Sequence, residues 1–264
     1  MRSAYRIALM AGVLACSSAL SPAGRHRAAA GSGDAPDPAP EQIIKAFSEK
    51  ETEFFDAWMR YAYTQTAVIR VVAVDGVPAQ EVMMLVSEVV FNDDGTREVR
   101  VLERRGRLKS IKFTPEDEEI IYNLNPFALT AKEFPLYDLK YRGRERVDEL
   151  DCHVFSVKPR STKGGRLYFE GKIWVDDVDL QIVRTVGRAV PETRENKFPE
   201  FETLRQVIDG RYWFPVWTHA DEVLRFPYQD VHVEETITYE GYREFQSEAT
   251  IRYGKKEPAD DASE

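Results

Sequence analysis

R-L-Y-F-E-G-K-I-W-V-D-D-V-D-L-Q-I-V-R-T-V-G-R, residues 166–188, decides the fold. Leu167, Phe169, Gly171, Ile173 and Val175 alternate with Tyr168, Glu170, Lys172 and Trp174, the period-two pattern of a strand with one buried face. Asp176, Asp177 and Asp179 interrupt that pattern, and residues 180–186 resume as a β-branched run. The stretch predicts a hairpin of two antiparallel strands joined by an aspartate-rich turn. Its apolar face has to be covered.

Working outward, further strands are predicted at 61–74, 82–91, 97–102, 108–113, 139–141, 152–157, 204–208, 211–219 and 231–239. Asp93-Asp94-Gly95 and Asp209-Gly210 supply hairpin turns, the latter the strongest such signal in the chain. Two helical pieces are expected among them. In residues 41–58, Ile44, Phe47, Phe54, Phe55 and Trp58 form an apolar stripe at helical spacing, with Lys50, Glu51, Glu53 and Asp56 largely outside it. Thr114-Pro115-Glu116-Asp117 offers an N-cap, a proline at the first helical position and acidic residues in the first turn, opening a short helix that ends near residue 123, before Pro126. The fold class is mainly antiparallel β (α+β), with ten or eleven strands, an N-terminal amphipathic helix and a short internal helix.

The ends have a different character. Arg2 and Arg6 precede an apolar run over residues 7–15, the layout of a secretory signal occupying residues 1–15. Val13-Leu14-Ala15-Cys16 resembles a bacterial lipobox, which makes Cys16 the lipidation site, although Leu14 is larger than the pattern prefers. Cleavage within Ala28-Ala29-Ala30-Gly31 is the rival, and it discards Cys16. Residues 16–40, rich in Ala, Gly, Pro and Ser, suit a flexible tether, and residues 254–264 a disordered acidic tail. Either processing route leaves Cys152 without a partner for an internal disulfide. Loss of two arginines takes the formal charge from −9 to −11, so contact with an anionic membrane requires a lipid anchor at Cys16.

Among 264 residues, 43% are hydrophobic and 31% charged, an ordinary globular balance. The acidity, with a pI near 5.2, excludes nucleic acid as a partner. Arg104, Arg105, Arg107 and Lys109 form the nearest approach to a basic patch and are expected in a solvated turn. No catalytic constellation is evident, so the chain is expected to be no enzyme and to need no cofactor. His26, His153, His219 and His232 lack the spacing of zinc ligands, and the aspartate-rich turn lacks the glycine and distant glutamate of a calcium loop. On a strand, Cys152 and His153 point to opposite faces and form no dyad. Gly164-Gly165 precedes a strand rather than a helix and is a turn, not a phosphate loop.

Three elements, in order, resemble the outer-membrane lipoprotein-sorting family, the LolA/LolB-like carriers of the periplasm to which the sensor RseB is related. They are the helix leading into Tyr61-Ala-Tyr-Thr-Gln-Thr, the segment Tyr122-Asn-Leu-Asn-Pro-Phe, and Gly171-Lys-Ile-Trp-Val-Asp. The resemblance covers about residues 41–253. It implies a curved, half-open β-barrel with helices on its concave face and an apolar cavity between them. It further implies an exported, non-enzymatic protein, periplasmic or outer-membrane-anchored in a Gram-negative-type bacterium. Such a protein shelters a lipid, acyl chain or lipoprotein and exchanges it with a membrane partner protein. The alternative is a periplasmic sensor or scaffold that binds a protein on the same fold. No arginine stands in a sequence context matching the family's lid-locking residue. Aromatic residues are abundant on the strands and the first helix, which core packing explains as well as a pocket does. Where they line a pocket, the hydrophobic ligand-binding residues are expected to be Phe54, Trp58, Phe155, Phe169, Ile173, Val175 and Phe214.

Overall fold

The computed structural model describes residues 39–92 and 96–245. The export signal, the tether up to residue 38, Cys16, the Asp93-Asp94-Gly95 turn, the end of the 41–253 domain and the 254–264 tail lie outside the described residues.

Ten antiparallel strands form one curved, unclosed sheet. They are β1 (Tyr61–Val74), β2 (Val77–Phe91), β3 (Arg97–Gly106), β4 (Tyr137–Val147), β5 (Leu150–Pro159), β6 (Tyr168–Asp176), β7 (Ile182–Val190), β8 (Phe201–Ile208), β9 (Tyr212–Arg225) and β10 (Asp230–Glu244). The spatial order is β3-β2-β1-β10-β9-β8-β7-β6-β5-β4, so the chain meanders outward from β1 to one edge, crosses over, and meanders back to pair β10 with β1. Residues 107–136 make that crossing. They have to traverse the width of the sheet, and this is why helical structure interrupts an otherwise β chain. Both edge strands are dense in charge, Arg97, Glu98, Arg100, Glu103, Arg104 and Arg105 on β3 alone, which discourages edge-to-edge pairing.

Residues 166–188 form β6 and β7 as expected, with Gly171 directly opposite Gly187. A Cβ on Gly187 would lie 2.6 Å from the Phe169 ring and 2.5 Å from the Glu170 carbonyl oxygen. The paired glycines let that ring lie flat across two strands. There it stacks on Phe127 at 4.4 Å. In the turn, the Asp176 carboxylate accepts hydrogen bonds from the Val178 and Asp179 amides, and Asp179 accepts one from the Trp213 indole. Asp209 and Gly210 both adopt positive φ, 52° and 66°, the backbone of a tight hairpin between β8 and β9.

Helix α1 (Pro40–Trp58) lies on the inner face of the sheet and bridges two core clusters. Ile43, Ile44 and Phe47 pack with β5–β8, and Phe54, Ala57 and Trp58 pack with β1, β2, β9 and β10. The expected stripe needs two corrections: Phe55 is 38% exposed, and Glu51 is fully buried within the stripe. A helix face is set by spacing, and Glu51 stands four residues after Phe47 and three before Phe54, whereas Phe55 falls beyond the stripe's edge.

Two other expectations are corrected. Residues 108–113 form no strand. They leave the sheet after Gly106 and are held by side chains, the Lys109 and Ser110 amides donating to the Glu81 carboxylate. Arg104 and Arg105 lie on β3 rather than in a turn, exposed and paired with Glu118 and Glu103. The internal helix begins at Pro115 under a Thr114–Asp117 capping box as expected, but α2 (Pro115–Glu119) widens after one turn into a π-helical segment, Ile120–Leu124. No helix among the described residues is long and apolar enough to cross a membrane.

Candidate functional site

The helical crossing is held to the inner face of the sheet by polar side chains. Gln65 on β1 donates to the Ile121 carbonyl at 3.1 Å, and Thr203 on β8 donates to the Asn125 carbonyl at 2.9 Å. Arg205, also on β8, donates to the Phe127 carbonyl. A widened helical turn and the end of a helix leave carbonyls outside the regular ladder, and these three side chains occupy the carbonyls of Ile121 in the π-helical turn and of Asn125 and Phe127 at and beyond its end.

Arg205 also clamps α1. Its guanidinium makes two hydrogen bonds to the Glu51 carboxylate, at 3.0 and 3.1 Å, with the two side chains 1% and 0% exposed. The guanidinium lies 4.0 Å over the Phe54 ring, and the Ile182 amide donates to Glu51 at 3.0 Å. One arginine thus joins the N-terminal helix, the crossing segment and the sheet. Sequence reasoning missed both members of the pair. The available signal was position: Phe201, Thr203 and Arg205 share the inner face of β8, as Phe47, Glu51 and Phe54 share the inner face of α1.

The seven residues expected to bind a hydrophobic ligand are all brought to the inner face. Phe155, Phe169, Ile173 and Val175 lie under the first half of α1, and Phe54, Trp58 and Phe214 under and along its second half. All are buried and in direct contact with the helix or its neighbours, as in the Phe47–Phe155 pair at 5.4 Å and Phe54–Phe214 at 5.7 Å. The space between α1 and the sheet is filled by them. As ligand contacts they require α1 to lift.

An open cavity of about 610 Å³ lies instead beside the internal helix. Ile69, Leu224, Val233 and Glu235, from β1, β9 and β10, contribute its sheet side. Asp117, Ile120 and Ile121 border it from α2 and the π-helical turn, and Leu108, Ile111 and Phe113 from the segment before them. Ser110, Lys112, Thr114 and residues 194–199 and 226–229 complete the lining. The expected strand at 108–113 is therefore a cavity border.

The lining mixes apolar with polar and charged residues, and on its sheet side one buried carboxyl stands out. Glu235 falls on the inward alternation Val231, Val233, Glu235, Ile237, Tyr239, is 8% exposed, and has a buried carboxylate oxygen with no hydrogen-bond partner among the described residues. Burial pushes its carboxyl up to about 7, and the Asp117 carboxylate adds to the rise. Asp117, which accepts hydrogen bonds from Thr114, is itself pushed up by burial. Elsewhere, Cys152 is buried on the outer face beside Trp174, and burial, reinforced by Asp176 and Asp177, pushes its thiol up to about 12. A thiol held protonated in this way is inert.

Two outcomes are expected. Alanine at Glu51 or at Arg205 leaves a buried charge without its partner and lowers stability by about 3–5 kcal/mol in urea unfolding, whereas the double alanine variant costs less than the sum. A double variant that costs the full sum contradicts the coupling. For Glu235, folding binds a proton between the ordinary carboxylate pKa of 4.5 and about 7, so stability falls as pH rises through that window. Glu235→Gln should therefore stabilise the protein by on the order of 3 kcal/mol near pH ~8 and by little near pH ~4, the same unfolding experiment at both pH values being the check.

No protein-family model and no curated protein sequence matches the chain. Similar solved structures include a putative outer membrane lipoprotein-sorting protein domain from Vibrio parahaemolyticus, 12% identical with a TM-score of 0.41, covering 82% of this chain and 95% of that one. A LolA superfamily protein from Nitrosomonas europaea is 12% identical with a TM-score of 0.37, covering 77% and 94%. The MucA/MucB complex of Pseudomonas aeruginosa matches at 11% identity and a TM-score of 0.24, covering 74% and 94%. At these identities and TM-scores the likeness carries no argument about this chain.

Proposed function

We propose that this is a non-enzymatic binding protein that shelters the apolar part of a lipid, acyl chain or lipoprotein in the cavity beside α2. The observation that carries the reading is the cavity itself. Its volume of about 610 Å³ falls inside the range of about 300–1,000 Å³ common to small-molecule sites, and aliphatic and aromatic side chains from four parts of the chain line it. Burial is the driving force: each CH₂ taken from water is worth about 0.8 kcal/mol, so a long acyl chain contributes on the order of 10 kcal/mol before ordering costs.

Phe155, Phe169, Ile173, Val175 and Phe214 lie under α1 and Phe54 and Trp58 on it, and the Arg205–Glu51 pair holds the helix over them, so these seven residues form the packed floor beside the cavity. Export, anchoring through an acylated Cys16 and delivery to a membrane partner protein complete the proposal, with the protein periplasmic or attached to the outer membrane. The competing reading, a sensor or scaffold binding a protein partner, draws less support from the molecule. Its sheet edges are the natural place for such a partner, and the charge on β3 disfavours strand addition there.

Isothermal titration with decanol tests the site with a neutral probe. Binding is expected in the purified protein, and Ile111→Arg, a partly exposed position on the cavity border, should weaken it about tenfold or more by placing a charge against the apolar chain. Decanol binding left intact by that substitution would place the ligand elsewhere.

A further inference from the structure

Glu235 is the group that an ordinary apolar cavity does not need. A carboxylate facing aliphatic walls is costly unless something donates to it. Among the described residues nothing does: neither carboxylate oxygen has a hydrogen bond or ion pair, and one oxygen is sealed from solvent. Its strand neighbours Ile69 on β1 and Ala220 on β9 carry no donor in their side chains. Asp117, across the cavity on α2, adds a second acidic group. The cations that share the lining, Lys112, Arg194 and Lys197, stand at exposed or partly exposed positions, and Lys197 is already paired with Glu192 at 3.2 Å.

A sheet position that demands an apolar residue, filled by an acid with no partner, suits a site whose partner arrives with the ligand. We propose that the cavity takes amphiphiles carrying a protonated amine, the ammonium donating to the Glu235 carboxylate while the apolar chain lies along Ile69, Leu224 and Ile121. This deepens the hydrophobic-ligand reading and rests on it. The same arrangement selects against anionic amphiphiles, since a fatty acid would set its carboxylate against Glu235 and Asp117. A neutral alcohol sits between, able to donate one hydrogen bond without charge.

The ionisation of Glu235 gives the selectivity a pH dependence. Its carboxyl, pushed up to about 7, is neutral below that range and loses its hold on a cation. The charged groups that share the lining with it are Asp117 from α2, Lys112 from the segment before α2, and Arg194, Glu195 and Lys197 from the β7–β8 connection, and of these Asp117 acts on its carboxyl. Of these, Asp117 is the other group that burial pushes up, so it acts in the same direction.

Titration calorimetry with decylamine, decanol and decanoate, on the wild type and on Glu235→Gln, tests the assignment. At about pH 8 decylamine should bind the wild type at least about tenfold more tightly than decanol, and decanoate most weakly, as a charge-assisted hydrogen bond requires. Glu235→Gln should abolish the margin between decylamine and decanol, bringing the two affinities within about twofold of each other. The wild type alone gives a second readout: the margin of decylamine over decanol should shrink between about pH 8 and about pH 6. Equal affinity for the three compounds, or an amine preference that survives Glu235→Gln, overturns the assignment but leaves the hydrophobic-ligand reading standing. Failure of all three to bind overturns both.

Discussion

The Arg205–Glu51 pair is the contact on which the interior is assembled. Two fully buried charges repay their desolvation only when every donor and acceptor is matched, and here the matching is shared by three elements that are remote in sequence. Glu51 comes from the N-terminal helix, Arg205 from β8, and the Phe127 carbonyl from the crossing segment. The stacking of the guanidinium on Phe54 adds a favourable contact in a dry setting. Apolar packing alone would allow α1 to slide along the inner face, since Leu, Ile and Phe contacts are non-directional. A bidentate pair does not allow that, and so it fixes where the helix sits.

That placement divides the inner face. Under α1 the aromatic side chains are packed against one another and leave no room. Beyond the helix, where the chain leaves β3 and turns back over β1, β9 and β10, the sheet is covered by one short helix and its π-helical extension, and a cavity remains. The topology leaves room for it. A chain that finishes one edge of a ten-stranded sheet and restarts at the other has to cross the face, and it crosses with too few residues to fill it.

Much of this architecture was legible from alternation. The hairpin at 166–188, the aromatic helix, the proline-started internal helix and the Asp209-Gly210 turn all rest on local patterns that tertiary contacts did not override. Residues 108–113 were misleading because Leu108, Ile111 and Phe113 are apolar for a different reason: they border the cavity rather than a sheet. The polar residues that organise the interior carry no local motif that marks them as buried. Glu51, Gln65, Arg205 and Glu235 all stand where the period of their element calls for an apolar side chain. Such violations of local pattern concentrate where packing has been given up for a specific contact. Read that way, the chain announces its latch and its cavity acid, although not that the partners of Arg205 lie 154 and 78 residues away.

Ligand that enters beside the internal helix while the latched helix stays closed leaves a distinct mark in hydrogen–deuterium exchange with and without decylamine. Exchange should slow in peptides covering residues 108–121 and 224–235, with peptides of α1 unchanged. Altered exchange across α1, with no change around the cavity, would contradict it.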